Sequence, residues 1–218
     1  MKLRDKLALV NKLRWKPGDA LRVRFLEGDT RVQDKVANVA GDWEKRNGGP
    51  ANLRLEFGSD PEAEIRISFQ DSGSWSHLGQ GANSIARDRP TMNFGWLTSE
   101  TDDEEYSRVV LHEFGHALGC IHEHQGGAAN LIPWDKEKCY SRYAGPPNFW
   151  SPKQVEMNLF QRWAEGETQF SQFDPLSIMV YPIDPSLLTD PAWPGAGWHN
   201  KALSQTDRDF ISAMYPAI

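Results

Sequence analysis

Four of the chain's six histidines, His112, His116, His122 and His124, fall within thirteen positions, and three of them define the run H-E-F-G-H-A-L-G-C-I-H from His112 to His122. A shuffled chain of this composition contains H-E-x-x-H about once in a hundred tries. The longer pattern, with Gly119 and His122 added, arises roughly once in forty thousand. Four residues advance an α-helix by about 400° and 6 Å, so His112 and His116 stand nearly one above the other and reach one metal ion. A helix that simply continued would turn His122 about 120° away from His116. Gly119 removes that obstacle, because glycine takes the left-handed conformation that ends a helix and returns the chain beneath the site. Three imidazoles leave one coordination position open, which is the arrangement of a catalytic zinc. Glu113 follows the first ligand and projects toward that position. It can take a proton from an attacking water and later deliver one to a leaving amine. His124 and His77 complete no such spacing and read as surface or hydrogen-bonding histidines.

Hydrophobic periodicity sets the frame for this cluster. Leu21 to Phe25, Leu53 to Phe57 and Glu64 to Phe69 alternate apolar with charged or polar residues, predicting three half-buried strands. A helix is predicted from the caps Asp29 and Thr30 through Val32, Val36, Val39, Ala40 and Trp43 to the breaker Asn47-Gly48-Gly49-Pro50. Thr91 to Leu97 reads as one more strand. The acidic run from Thr101 to Glu105 opens the histidine helix, where negative charge suits the macrodipole. Two later helices are expected, Ser151 to Trp163 behind a Ser-Pro start and Ser204 to Tyr215 behind the Ser204-x-x-Asp207 box. The fold class is therefore α+β. A mixed twisted sheet carries the histidine helix and a second helix in an N-terminal lobe of about 1–122, and an irregular C-terminal lobe of about 123–218 completes one catalytic domain.

Charge and composition exclude several roles. Lys plus Arg number 24 against 30 Asp plus Glu, a net charge of −6 over 218 residues, so a nucleic-acid backbone is a poor partner. No apolar run nears the ~18 residues of a membrane span. Asp5 and Lys6 interrupt what would otherwise open like a signal peptide, so no export signal is read in this chain. Cys120 and Cys139 match no C-x-x-C pattern. A bridge between them would close a loop of about 20 residues, and the sequence leaves it open.

The pattern H-E-x-x-H-x-x-G-x-x-H resembles that of the metzincin zinc endopeptidases, and the methionine turn of that family is matched by Ser177-Ile178-Met179-Val180-Tyr181. Glu123 directly after the third histidine, and a tyrosine two residues after the methionine, are similar to the astacin-like branch, as are Trp150 to Phe160 and Leu203 to Pro216. The resemblance covers most of residues 20–216. It implies one zinc per chain on His112, His116 and His122, Glu113 as general base, and Met179 as an apolar floor beneath the histidines. It also implies that Tyr181 ligates zinc and swings away to stabilise the oxyanion. Gly119, Glu123 and Met179 would then be structural at the site. The implied substrates are proteins or peptides, bound extended in the cleft along an edge strand expected near Ser84 to Ala86, by a monomer. Secretion is the habit of the family. The four-cysteine pattern of animal members is absent, Cys120 and Val180 stand where an aromatic and a histidine are common, and His124-Gln125-Gly126-Gly127 replaces an arginine-rich acidic stretch. Phe25 to Asp29 resembles the zinc-blocking aspartate motif of astacin prosegments, but its place between strand and helix predicts a turn with an N-cap. Two competing readings remain, a non-catalytic zinc-binding interaction module, against which the intact Glu113 speaks, and a peptide-bond enzyme directed at one cellular target.

Overall fold

The computed structural model of the chain describes residues 9–125, 132–146, 148–161, 168–169, 174–180, 183–193 and 200–217. Its centre is a five-stranded sheet of order β3-β2-β4-β6-β5, formed by β2 (Ala20–Phe25), β3 (Arg54–Phe57), β4 (Ile65–Ser68), β5 (Ser74–Ser76) and β6 (Met92–Phe94). The first four strands in that order run parallel and β5 closes one edge antiparallel to β6, with Trp75 opposite Asn93. A short strand β1 (Leu9–Val10) pairs antiparallel with β7 (Thr168–Gln169), away from this sheet.

In β2 and β3, though not in β4, the alternation read from the sequence is the alternation of burial. Leu21 and Val23 of β2, and Leu55 of β3, are buried between exposed or half-buried charged neighbours. In β4 all four residues are buried, as befits an inner strand. Helix α1 (Thr30–Ala40) buries Val32, Val36 and Ala40, and its N-cap is Asp29, whose carboxylate accepts the Arg31 N–H at 2.8 Å. Asp29 is thus the expected cap of a turn. The chain continues through a 3₁₀ turn that buries Trp43.

Helix α2 (Asp103–Ala117) packs against α1, β5 and β6. Asp102 caps it by accepting the Glu105 N–H, and Asp103, Glu104 and Glu105 fill the first turn. Val109, Val110, Leu111 and Phe114 are buried on its core side. Its last carbonyls, which have no helical partner, accept bonds from distant side chains. Trp15 Nε1 donates to Ala117 O at 2.8 Å, and the Tyr215 hydroxyl donates to Leu118 O at 2.6 Å.

Beyond α2 lie α3 (Lys136–Ala144), α4 (Pro152–Val155), the π turn Glu156–Phe160 that extends α4, and α5 (Gln205–Met214). A second apolar cluster of Cys139, Tyr143, Val155, Leu159 and Leu187 holds α3 against α4. The helix expected over Ser151 to Trp163 is therefore α4 plus the π turn, ending before Gln161, and Trp163 lies outside the described residues. Helix α5 carries the expected box, with Ser204 and Asp207 bonding each other's backbone N–H. Cys120 and Cys139 are separate buried thiols, so no bridge joins them. Among the described residues no helix is long and apolar enough to cross a membrane.

Candidate metal centre

Helix pitch sets His112 and His116 on one side of α2, with ring centroids 4.8 Å apart. After Ala117 the helix stops. Gly119 adopts φ +97° and the Cys120 N–H returns to Gly115 O at 3.0 Å, a left-handed termination that a side chain would strain. The turn brings His122 back, its ring centroid 4.7 Å from that of His116 and 5.2 Å from that of His112. One nitrogen from each of the three rings lies within 4.8 Å of the others.

Two of the rings have their tautomer fixed by carbonyl groups, which only accept. His112 Nδ1–H donates to Ile178 O and His116 Nδ1–H donates to Cys120 O, both at 2.8 Å. That leaves each Nε2 lone pair facing the cluster, where His116 Nε2 and His122 Nε2 are 3.3 Å apart. Burial, reinforced by the neighbouring imidazoles, keeps the rings neutral far below the ordinary histidine range. His112 is lowered to about 3 and His116, by burial, to about 4, while His122 is also depressed. Neutral imidazoles are the form that ligates.

Glu113 lines the same cleft, 6% exposed, and its Oε2 has no hydrogen-bond partner among the described residues. Burial pushes its carboxyl up to about 8, against the opposing pull of Arg108. Three convergent neutral nitrogens beside an unsatisfied buried carboxylate oxygen fit a zinc ion with an open position.

Met179 is fully buried, its sulfur lying against Gly115 of α2. A Cβ built on Gly115 would stand 2.3 Å from Met179 Sδ, so the glycine inside the H-E-F-G-H run is the recess into which the methionine fits. Asp207 holds the methionine turn from behind. Its carboxylate accepts Ser177 Oγ–H at 2.7 Å and the Ile178 and Ser204 N–H groups at 2.9 Å. The Ile178 carbonyl that locks His112 therefore hangs on Asp207. Glu123 ties the turn on its other side, its N–H donating to Met179 O at 3.0 Å and its Oε1 accepting the Asp174 N–H at 2.9 Å.

The cleft has a volume of about 750 Å³ and reaches from β5 across His112, Glu113, His116 and His122 to Tyr143, Trp150 and Asn158. The edge strand that borders it is β5, not Ser84 to Ala86. Gly79–Ser84 forms a 3₁₀ helix, and Ile85 and Ala86 give their carbonyls to the buried Arg66 guanidinium. Tyr181 lies outside the described residues. His77 is half-buried, edge-on to Trp75. His124 is the expected hydrogen-bonding histidine, its Nε2 donating to Asn158 O at 3.1 Å, but not a surface one. It is 3% exposed and stacks on the His122 ring at 5.1 Å and 14°. Metal-ligand spacing cannot reveal a buried ring that stacks on one of the three histidines. Arg108, also in the cleft wall and held by Glu105, was open to such reasoning, since it precedes His112 by one helical turn.

No family profile and no curated protein matches the chain. Solved structures do. One structure of myroilysin matches with TM-score 0.87 and 43% identity over 97% of this chain and 99% of that one. A second, of the same protein, matches with TM-score 0.72 and 42% identity over 95% and 87%. The hatching enzyme zinc-protease HCE-1 of the medaka fish Oryzias latipes shares the fold, with TM-score 0.61 and 17% identity over 95% and 96%. With a three-histidine cluster behind a glycine-ended helix, and with myroilysin similar over nearly its whole length, the chain belongs to the astacin-like metzincins and is a zinc metalloendopeptidase.

Proposed function

We propose that His112, His116 and His122 hold the catalytic zinc, that Glu113 is the general base, and that residues 1–218 act as one two-lobed catalytic unit, a monomer, on peptide chains and not on nucleic acid. The convergence of three neutral imidazole nitrogens beside the orphaned Glu113 oxygen carries this reading. Zinc, when bound, supplies Lewis-acid polarisation of a carbonyl and acidifies water. The chain's own residues do the rest. Glu113 accepts the proton of the attacking water and returns it to the amine as the peptide bond breaks. Tyr181 donates a hydrogen bond to the carbonyl oxygen as negative charge develops there. The substrate lies extended beside β5, whose outer edge has no further strand among the described residues to pair with and can take one by strand addition.

The test is hydrolysis of an unfolded protein by zinc-loaded Glu113→Ala and Tyr181→Phe variants. Glu113→Ala should retain zinc and lose about 10²- to 10⁴-fold in rate. Tyr181→Phe should lose about 10²- to 10³-fold in kcat with little change in KM. Activity of Glu113→Ala within a few-fold of wild type would place the base elsewhere.

A further inference from the structure

The three imidazoles are not held alike. His112 and His116 each bond a backbone carbonyl directly. His122 lies parallel to the His124 ring, centroids 5.1 Å apart, and its carbonyl accepts the Gln125 backbone N–H at 2.9 Å. These two supports share an anchor. His124 Nε2 donates to the Asn158 carbonyl at 3.1 Å, and Gln125 Nε2 donates to the Met157 carbonyl at 2.8 Å. Both carbonyls belong to the π turn Glu156–Phe160, where the helix ends and its last C=O groups have no partner further along the chain. Trp134 also meets the His124 ring, edge-on at 6.3 Å.

We propose that His124 and Gln125 are positioning residues that aim His122 at the metal, with the π-turn carbonyls of Met157 and Asn158 as their anchor. The physical need is plain. His122 stands beyond the helix, where no i→i−4 neighbour limits its rotamer, and the direction of its Nε2 lone pair follows the ring plane. A parallel ring on a fixed carbonyl sets that plane. Residues that orient a ligand in this way are worth about 10- to 100-fold in metal affinity. Asn158 also lines the cleft, so the segment that supports the third ligand is a wall of the substrate site.

The proposal rests on the reading of His122 as a ligand, and the experiment separates the two. Zinc-free wild type, His122→Ala, His124→Ala, His124→Gln and Gln125→Ala proteins are titrated with zinc against a chelating dye, then loaded with cobalt(II) for visible spectra. His124→Ala should lose about 10- to 100-fold in zinc affinity and shift the cobalt d–d bands, which report ligand geometry. His124→Gln keeps a donor for the Asn158 carbonyl without the ring and should fall between it and wild type. Gln125→Ala should show a smaller loss in the same direction. Wild-type affinity and unshifted bands in His124→Ala and Gln125→Ala, beside a loss in His122→Ala, overturn the proposal. Undiminished zinc binding in His122→Ala overturns the ligand reading instead. If His124→Ala does not fold, unchanged affinity and bands in His124→Gln and Gln125→Ala overturn the proposal equally.

Discussion

His112 and His116 stand on a fifteen-residue helix whose place is fixed by apolar packing against α1 and the sheet. His122 stands three residues past the glycine that ends that helix, on backbone with no regular ladder. The difference shows in what holds each region. Between β2 and α2 the core is mainly Leu, Val, Ile, Phe, Trp and Met at strand or helix spacing, with the buried Arg66 and Asn93 bonding backbone beside it. In the segments after Gly119 buried polar side chains do comparable work by bonding backbone: Glu123 to Asp174, Gln125 to Met157, Asp207 to Ile178 and Ser204. Where periodic structure stops, each N–H and C=O must find an individual partner, and a few polar residues supply several each.

The largest expected effect comes from removing the zinc ion that, in the proposed site, joins the two regions. Zinc at 1,000 times its dissociation constant stabilises by about 4 kcal/mol, and each kcal/mol moves the melting point of a chain this size by about 2–4 °C. Chelation should lower Tm by on the order of 10 °C. Hydrogen exchange should accelerate at Cys120 to Gln125 while the middle of α2 stays protected. Equal acceleration along α2 would mean that the helix depends on the metal as much as the turn does.

Asp207→Ala comes next. It strips three backbone or hydroxyl donors of their buried acceptor, a loss of about 3 kcal/mol at roughly 1 kcal/mol per bond. It should also weaken zinc binding, because Ile178 O no longer sits fixed behind His112. Denaturant melts with a metal titration check both, and unchanged zinc affinity would break the link between α5 and the site.

Gly115→Ala tests the helical side. Alanine favours a helix by about 1 kcal/mol over glycine, yet its Cβ would meet Met179 Sδ at 2.3 Å. Overpacking of this kind costs about 1–3 kcal/mol. We expect a net destabilisation of about 1 kcal/mol by equilibrium unfolding, and a more stable variant would show that the methionine shifts freely.

The smallest effect concerns pH. Burial raises the Asp207 carboxyl above its ordinary value, more than its bonds from Ile178, Ser177 and Ser204 lower it. A carboxyl raised in the folded state favours folding most below its unfolded pKa of about 4, and that contribution is lost as pH rises through the folded value. Asp207→Asn keeps an acceptor for the two N–H groups and removes the titration. Its stability relative to wild type should therefore rise from pH 4 toward neutrality, and a parallel pair of profiles would contradict the sign.

The contrast between the regions also explains what could be read from the residues. Helices α1 and α2, the Asp29 cap, and strands β2, β3 and β4 follow from periods of 3.6 and 2 and a cap signal, because packing there is repetitive. Strand β5 does not, since Ser74-Trp75-Ser76 sits in a Gly- and Ser-rich stretch and becomes a strand by pairing with β6. Helix α3 escaped notice because its lysines and arginine outnumber the apolar Cys139 and Tyr143 that hold it, although Asp135 caps it at Lys138. The histidine spacing announced a three-histidine cluster that could hold a metal ion. It could not announce His124, whose partner carbonyl lies 34 positions away on the π turn.

One consequence reaches into the making of the protein. The carbonyl of Leu118, at the end of the histidine helix, is closed by the hydroxyl of Tyr215, 97 residues further on. A ribosome delivers residues in order, so the three histidines emerge long before that tyrosine exists. Until then water must satisfy that carbonyl. The geometry that would cut peptide bonds is thus completed after synthesis has passed Tyr215, and a half-made copy of this enzyme carries its metal-binding motif without the brace that finishes it.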